Sequence, residues 1–319
     1  MVAATDEQLH EPGDERHWQE SYYFNWADAG GQVFGLARVG YRFADGRADG
    51  LVLAIADGRP EYCYPGVNVR GIPPAAGRPP GTYAAGKLAL EVVEPLRRFR
   101  LTLDGPHRMD LVFDAFTDAF DYKASGASTF APELAASHFE QAGTVEGWTE
   151  FRGKRREVAG TGQRDKSWGV RDWGAVAGWD WISGQFGTDA AFNATLVVDA
   201  AGAKLPSGFV HVDGDNHAVT GIDLDYDWGG RTHEPAAVRL RLEAGGAREW
   251  TVTGEARGRF PLLRKGAWLE EVHTRFTLSD GVTERTGYGI VEHVWRPSTV
   301  EVLRRSCQLP ALMRVMSRP

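Results

Sequence analysis

The sequence predicts an all-β protein of antiparallel barrels or sandwiches, and three observations carry that expectation. Short segments alternate apolar and polar residues with period two, 39 glycines and several Asp-Gly pairs punctuate them, and no long stretch repeats apolar residues at helical spacing. So many strands need closed or stacked sheets to manage their edges, and a chain of 319 residues is long enough for two domains or one large one.

Taken in chain order, strands are expected over residues 21–28, 33–43 and 50–56, with Asp45-Gly46 and Asp57-Gly58 as turn signals. The strand at 33–43 is apolar on both faces, with Val33, Val39, Tyr41 and Phe43 on one and Phe34 and Leu36 on the other. That suits a wall between a core and an apolar cavity, and equally a sandwich packed on both sides. Prolines 73, 74, 79 and 80 mark residues 71–87 as a long loop over a barrel mouth. Phe99, Leu101 and Leu103 alternate with Arg98, Arg100 and Thr102 as a half-buried strand, followed by strands at 109–116 and 138–151. A second series is expected at 181–186, 192–198, 209–213, 217–226, 238–242, 250–256, 268–278 and 283–295, with turns at Asp213-Gly214 and Asp280-Gly281. Residues 302–316 read as one short terminal helix broken by Pro310. The two series meet near residues 165–180, which places the expected domains at 1–170 and 171–319.

Composition narrows the function classes. A 42% hydrophobic and 25% charged content is ordinary for a globular protein, and the net charge of −7 argues against a nucleic-acid surface. The nine histidines show no ligand spacing, so no metal is expected, and Asp213, Asp215, Asp223, Asp225 and Asp227 resemble a calcium loop only in charge. Cys63 and Cys307 are too few for a disulfide framework. The acidic N-terminus has no signal-peptide pattern and no apolar run reaches membrane-span length, so a cytoplasmic protein without an integral membrane segment is expected. Gly160-Thr161-Gly162 is too short for a dinucleotide loop, and no cofactor is expected. Ser167 has no histidine near it in sequence and no nucleophile-elbow glycines, which argues against a hydrolase triad.

The densest chemistry lies at residues 160–181, where Trp168, Trp173, Trp179 and Trp181 are interleaved with Arg164, Asp165, Arg171, Asp172 and Asp180. Indoles have large apolar faces to bury, and a charge buried beside them needs a partner. One expectation is therefore a buried ion network of Arg164, Asp165, Arg171 and Asp172 locking two sheets. The other is a ligand site.

His138-Phe139-Glu140-Gln141 with Gly143, Val145 and Gly147, the run Gly-x-Gly-x-Arg-Asp-x-Ser-Trp-Gly-x-Arg-Asp-Trp at 160–173, and Gly287-Tyr288-Gly289 with Glu292 together resemble the lipocalin-like hydroxyneurosporene synthase (carotenoid hydratase) superfamily. The resemblance covers most of residues 15–297 and implies two lipocalin-like β domains that hydrate, isomerise or cyclise an apolar isoprenoid, steroid or polyketide-like substrate. Lys166 stands where many members of that superfamily carry histidine, which bears on any role of that position as a proton donor.

Such chemistry needs a carboxylic acid in a dry site to protonate carbon, and aromatic faces to stabilise the cation that forms. Asp172 and Asp180 are the first candidates for the acid, Asp165 follows because a neighbouring arginine would lower its pKa, and Glu140 and Glu292 come next. Trp26, Trp168, Trp173, Trp179, Trp181, Tyr22, Tyr288 and His138 are the candidate substrate contacts. If extended, Glu292 and His293 face opposite ways, so at most one of them enters a cavity. The competing function is a carrier that binds the same kind of molecule unchanged, and an ionisable group with a raised pKa facing the cavity separates the two.

Overall fold

A computed structural model describes residues 2–12, 15–70, 81–123, 134–230, 234–246, 248–264 and 266–316. The first sheet is built from β1 (Trp18–Asp28), β2 (Val33–Arg42), β3 (Arg47–Ala56), β4 (Arg59–Arg70), β5 (Thr82–Ala85), β6 (Leu88–Glu94), β7 (Arg98–Leu103), β8 (Arg108–Ala115), β9 (Phe120–Asp121), β10 (Ser137–Phe151) and β11 (Lys154–Val170). Its order is β4-β3-β2-β1-β11-β10-β8-β7-β6-β5, with β9 paired to β10, and all pairings are antiparallel. The strands β12 (Val176–Phe186), β13 (Ala190–Asp199), β14 (Lys204–Val212), β15 (Asp215–Gly229), β16 (Glu234–Ala244), β17 (Arg248–Arg264), β18 (Ala267–Ser279) and β19 (Glu284–Trp295) close into an antiparallel barrel. Two short helices follow, α1 (Thr299–Arg305) and α2 (Leu309–Val315). The protein is all-β, and among the described residues no helix is long and apolar enough to cross a membrane.

Differences from expectation have local causes. β4 carries Pro60 and Pro65, which blur its alternation and suit the edge position it occupies. Of the loop expected at 71–87, residues 71–80 lie outside the described residues, and 82–85 form β5, joined to β6 through Gly86 at φ 67°. Pro310 does not break a helix but sits in the first turn of α2, where its missing N–H is no loss.

Alternation sorts each central strand between two cores. On β1, Tyr22, Phe24 and Trp26 face a core lined by Tyr41, Phe99 and Phe113, enclosed by the curl of the first sheet. Gly35 leaves room for Trp26, whose ring lies 2.2 Å from where a Cβ would stand. Tyr23, Leu36, Leu53 and Cys63 face the other way, into a cluster shared with Trp179, Trp181, Phe260 and Leu269 of the barrel and with Leu312 and Val315 of α2. The barrel has its own core around Phe192, Val210, Leu240 and Phe276.

The core of the first sheet is closed by the N-terminal segment, whose Ala4–Glu7 forms a turn of 3₁₀ helix. Arg164 pairs with Glu7 at 2.7 Å and Lys166 with Glu20 at 2.7 Å, all four side chains fully buried. Tyr22 donates a hydrogen bond to the Glu7 carbonyl at 2.7 Å. This replaces the network expected among Arg164, Asp165, Arg171 and Asp172: on an extended strand Arg164 and Asp165 must face opposite ways, so Arg164 takes its carboxylate from the N-terminal segment.

Gly160 and Gly162 serve strand pairing. A Cβ on Gly162 would stand 1.9 Å from the Asn25 carbonyl oxygen of β1. Gly162→Ala is expected to destabilise the fold by about 1–3 kcal/mol in denaturant unfolding, the usual cost of overpacking, whereas Ala at Gly153 meets no neighbour and is expected to show only the roughly 1 kcal/mol strain of a side chain at φ 75°.

Candidate functional site

A cavity of about 430 Å³ lies between the outward face of the first sheet and the wall of the barrel, with Leu312, Met313 and Met316 along its α2 side. Cross-strand register builds both walls. On the first sheet, one row runs Leu51, Arg38, Tyr23, Asp165 and Glu140 across β3, β2, β1, β11 and β10. The next row on the same face runs Asp49, Gly40, Ser21, Ser167 and His138. On the barrel, Glu271, Glu292, Trp181 and Thr195 form one row across β18, β19, β12 and β13. Tyr23 and Trp181 meet edge to face at 5.4 Å, and Trp181 Nε1 donates to Glu140 Oε1 at 2.8 Å, joining the walls.

The barrel wall holds an acid pair. Glu271 and Glu292 stand directly opposite on neighbouring strands, an arrangement that repels if both are ionised. They are hydrogen-bonded to each other, and burial together with the Glu292 charge holds Glu271 well above the usual carboxylate range. Glu292 is also raised by burial, and is held back by the Trp179 indole, which donates to its Oε1 at 2.6 Å, and by the bond from Glu271. Glu271 Oε2 is buried and receives no hydrogen bond among the described residues, as suits a protonated carboxyl. Burial and mutual repulsion thus both work against full ionisation of the pair, with the stronger upward push on Glu271, beside the apolar side chains of Leu269, Phe260 and Leu36.

The facing wall carries a chain of polar groups. Ser167 Oγ donates to Asp165 Oδ1 at 3.1 Å, His138 Nδ1 lies 3.0 Å from Ser167 Oγ, and His138 Nε2 lies 2.8 Å from Glu140 Oε1. Gln163 Nε2 donates to Glu140 Oε2 at 2.7 Å. Burial raises the Asp165 carboxyl, with His138 and Arg171 pulling against it. The strand pairing thus gives Ser167 a histidine that sequence distance concealed. Ser167 nonetheless sits mid-strand, paired on both sides, and not at the sharp turn that exposes a nucleophile, so the arrangement is a hydrogen-bonded chain ending at Asp165 and lacks the setting of a hydrolase triad.

Three guanidinium groups gather at the same wall, Arg264 reaching it from β17 of the barrel. Arg171 donates through Nε to the Leu134 carbonyl at 2.7 Å and through Nη1 to Ser21 Oγ at 2.9 Å. Arg264 pairs with Asp49 at 3.5 Å, a carboxylate it shares with Arg42 at 3.2 Å. Arg38 folds along β2 over Gly40, where a Cβ would stand 2.5 Å from its Nη1.

The residues singled out from the sequence divide by face. Asp165, Glu292, His138, Trp173, Trp179 and Trp181 line the cavity, with Glu140 just behind it; Arg171 is there too, as a lining cation and not in contact with Asp165. Asp180 lies inside the barrel on the Ile182 face of β12, accepting from Tyr226 Oη at 2.7 Å and bonded to His293 Nδ1 at 2.6 Å. Asp172 is exposed and caps the 3₁₀ turn Trp173–Ala175 by accepting from Gly174 N at 2.8 Å. Trp26, Tyr22 and Trp168 belong to the first sheet's other face, Trp168 stacking on His10 at 4.0 Å. Lys166 shares that face, so it stands apart from the cavity. Tyr288 reaches the β1–β2 turn, where its hydroxyl lies 3.4 Å from the Gly30 carbonyl. Glu271 and Arg38 were not anticipated. Each was signalled by a charge on an otherwise apolar face: Glu270-Glu271 within Trp268-Leu269-x-x-Val272, and Arg38 in line with Phe34 and Leu36.

A family model described as a domain of unknown function (DUF7064) matches residues 3–297. Among curated proteins, none matches the sequence significantly. Among solved structures, kievitone hydratase from Nectria haematococca superposes with a TM-score of 0.64 at 14% identity, over 92% of this chain and 93% of that one. CghA, solved with Sch210972, gives 0.66 at 15% identity over 88% and 89% of the two chains. A candidate AttH from Nitrosomonas europaea gives 0.59 at 16% identity over 90% and 96%.

Proposed function

We propose, for a chain that belongs to the DUF7064 family of domains of unknown function, that the cavity between the two sheets is the active site of an enzyme acting on an apolar small molecule. The reaction is acid-assisted hydration, isomerisation or cyclisation at a carbon–carbon double bond of an isoprenoid, steroid or polyketide-like substrate. The observation that carries this reading is the hydrogen-bonded pair Glu271–Glu292, two buried carboxyls facing each other at the wall of an apolar cavity. A carrier needs no such pair, because an apolar lumen is enough for binding. The fold shared with a hydratase supports the same class of chemistry.

In the proposed reaction Glu271 gives its proton to one alkene carbon and the pair becomes a doubly charged base. The cation on the other carbon is stabilised by the faces of Trp173, Trp179, Trp181 and Tyr23 and by that new negative charge. Water addition on the first-sheet side, with its proton passing to Asp165, gives hydration. Return of a neighbouring C–H proton to the pair gives isomerisation, and attack by a second double bond followed by the same return gives cyclisation.

Titration with farnesol, a C15 isoprenoid alcohol, is expected to change the tryptophan fluorescence, because three indoles line the cavity. In D₂O the bound alkene is expected to gain deuterium, read by mass spectrometry, at a rate that falls as pH rises through the raised range of the pair, since the protonated form does the work. Binding without deuterium uptake across an isoprenoid panel would establish the carrier instead.

A further inference from the structure

We propose that the molecule bound in this cavity carries an anionic oxygen group, a carboxylate or acidic enol, which Arg38 grips with Arg171 beside it at the Ser21–Gly40–Asp49 row of the first sheet. This rests on the cavity being the active site and adds the class of molecule it takes: an apolar body with an acidic head.

The placement follows from register. Ser21, Gly40 and Asp49 are neighbours across β1, β2 and β3, and each sits under one guanidinium: Arg171 bonded to Ser21, Arg38 over Gly40, Arg264 paired with Asp49. Strands lie about 4.8 Å apart, so adjacent guanidinium groups are within reach of one carboxylate. Gly40 is what lets Arg38 lie there, since any side chain on the same face would collide with the guanidinium.

The charges do not balance within the chain. Among the described residues, Arg264 alone of the three has a carboxylate within ion-pair distance, and that carboxylate is already divided with Arg42. Arg171 gives two of its five donors to a neutral carbonyl and a hydroxyl, neither of which offsets its charge. Arg38 makes no hydrogen bond or ion pair to any described residue, although it is half-buried and lines the cavity. Burial and the neighbouring charges of Arg264 and Arg171 pull it down to about 9. An unpartnered guanidinium in such surroundings is costly unless something of opposite charge fills the site, and its planar fork matches two oxygens of one carbon. Nearby Glu292 does not meet this need, because its oxygens are taken by Trp179 and Glu271. The head group fixed at Arg38 would hold the apolar body along the cavity toward Glu271 on the opposite wall, which turns affinity into orientation.

The test compares farnesoic acid with its methyl ester at pH 7.5 by fluorescence titration, a binding readout independent of turnover. The acid is expected to bind at least tenfold more tightly than the ester in the unaltered protein, with the preference shrinking at high salt. Arg38→Gln is expected to remove the preference while ester affinity stays within twofold, and Arg38→Lys to restore part of it. Equal binding of acid and ester, or a preference that survives Arg38→Gln unchanged, overturns the anion site and leaves the active-site reading standing. Failure of acid, ester and farnesol alike to perturb the indoles overturns both. The comparison in the unaltered protein decides the matter even where a variant does not fold.

Discussion

Glu271→Gln is expected to lower deuterium uptake by the bound alkene at least 100-fold, a general-acid contribution of roughly 10² or more, while ligand affinity stays within a few fold. Glutamine keeps the size of the side chain and can still donate to Glu292, but has no proton to transfer. Stability distinguishes this loss from damage to the fold. The folded protein favours the protonated form of Glu271, so its contribution to stability is present below the ordinary carboxylate range and is lost as pH rises through the raised value. Glutamine has nothing to ionise, and the variant is expected to melt no lower than the parent at pH 8. Glu292→Gln is expected to act in the same direction, because it removes the acceptor that holds the proton in place. Asp172→Asn and Asp180→Asn are expected to retain turnover, since one residue caps an exposed turn and the other faces the barrel interior. Full activity in Glu271→Gln would move the acid to Asp165.

The largest effect on stability is expected at the far side of the first sheet. Glu7→Ala leaves Arg164 as an uncompensated charge in a closed core, which should cost about 3–5 kcal/mol in denaturant unfolding. Arg164 Nε and Nη1 already lack partners among the described residues, so no second acceptor is at hand. Its guanidinium is otherwise held by aromatic faces, 4.1 Å from the ring centre of Phe99 and 5.1 Å from that of Phe139. Replacing both members with apolar residues, as in Glu7→Leu with Arg164→Met, is expected to recover most of the loss, since the cost lies in breaking the pair. An unfolding midpoint unmoved by Glu7→Ala would mean that the N-terminal segment does not seal this core in solution.

The strands were legible because alternation is local: the pattern of Phe99, Leu101 and Leu103 against Arg98, Arg100 and Thr102 is β7 as it stands. The site was legible only where local density and strand parity agree. Trp179 and Trp181 share a face and reach the cavity, while Asp180 between them turns inward with Ile182, so closeness to tryptophan in sequence was a poor guide to closeness in space. Glu271 meets Glu292 through the pairing of β18 with β19, and both approach Asp165 only through the packing of two sheets, a relation that no local pattern encodes. Arg164 was read as a lock between sheets because its partner, Glu7, lies in a polar segment that gave no structural signal of its own.

The Glu271–Glu292 pair and the chain His138–Ser167–Asp165 hang from different sheets, and this gives the cavity a stability separate from that of either fold. Among the described residues, hydrogen bonds such as Trp181 to Glu140, Gln185 to Gln163 and Tyr122 to Asn193 cross the gap singly, whereas each ladder is held along its whole length by backbone pairing. A sub-global opening that parts the sheets would separate these groups with every ladder intact. If the cavity binds its ligand as proposed, the same excursion would open a passage for it, and the residence time of the ligand would be set by the breathing of this seam.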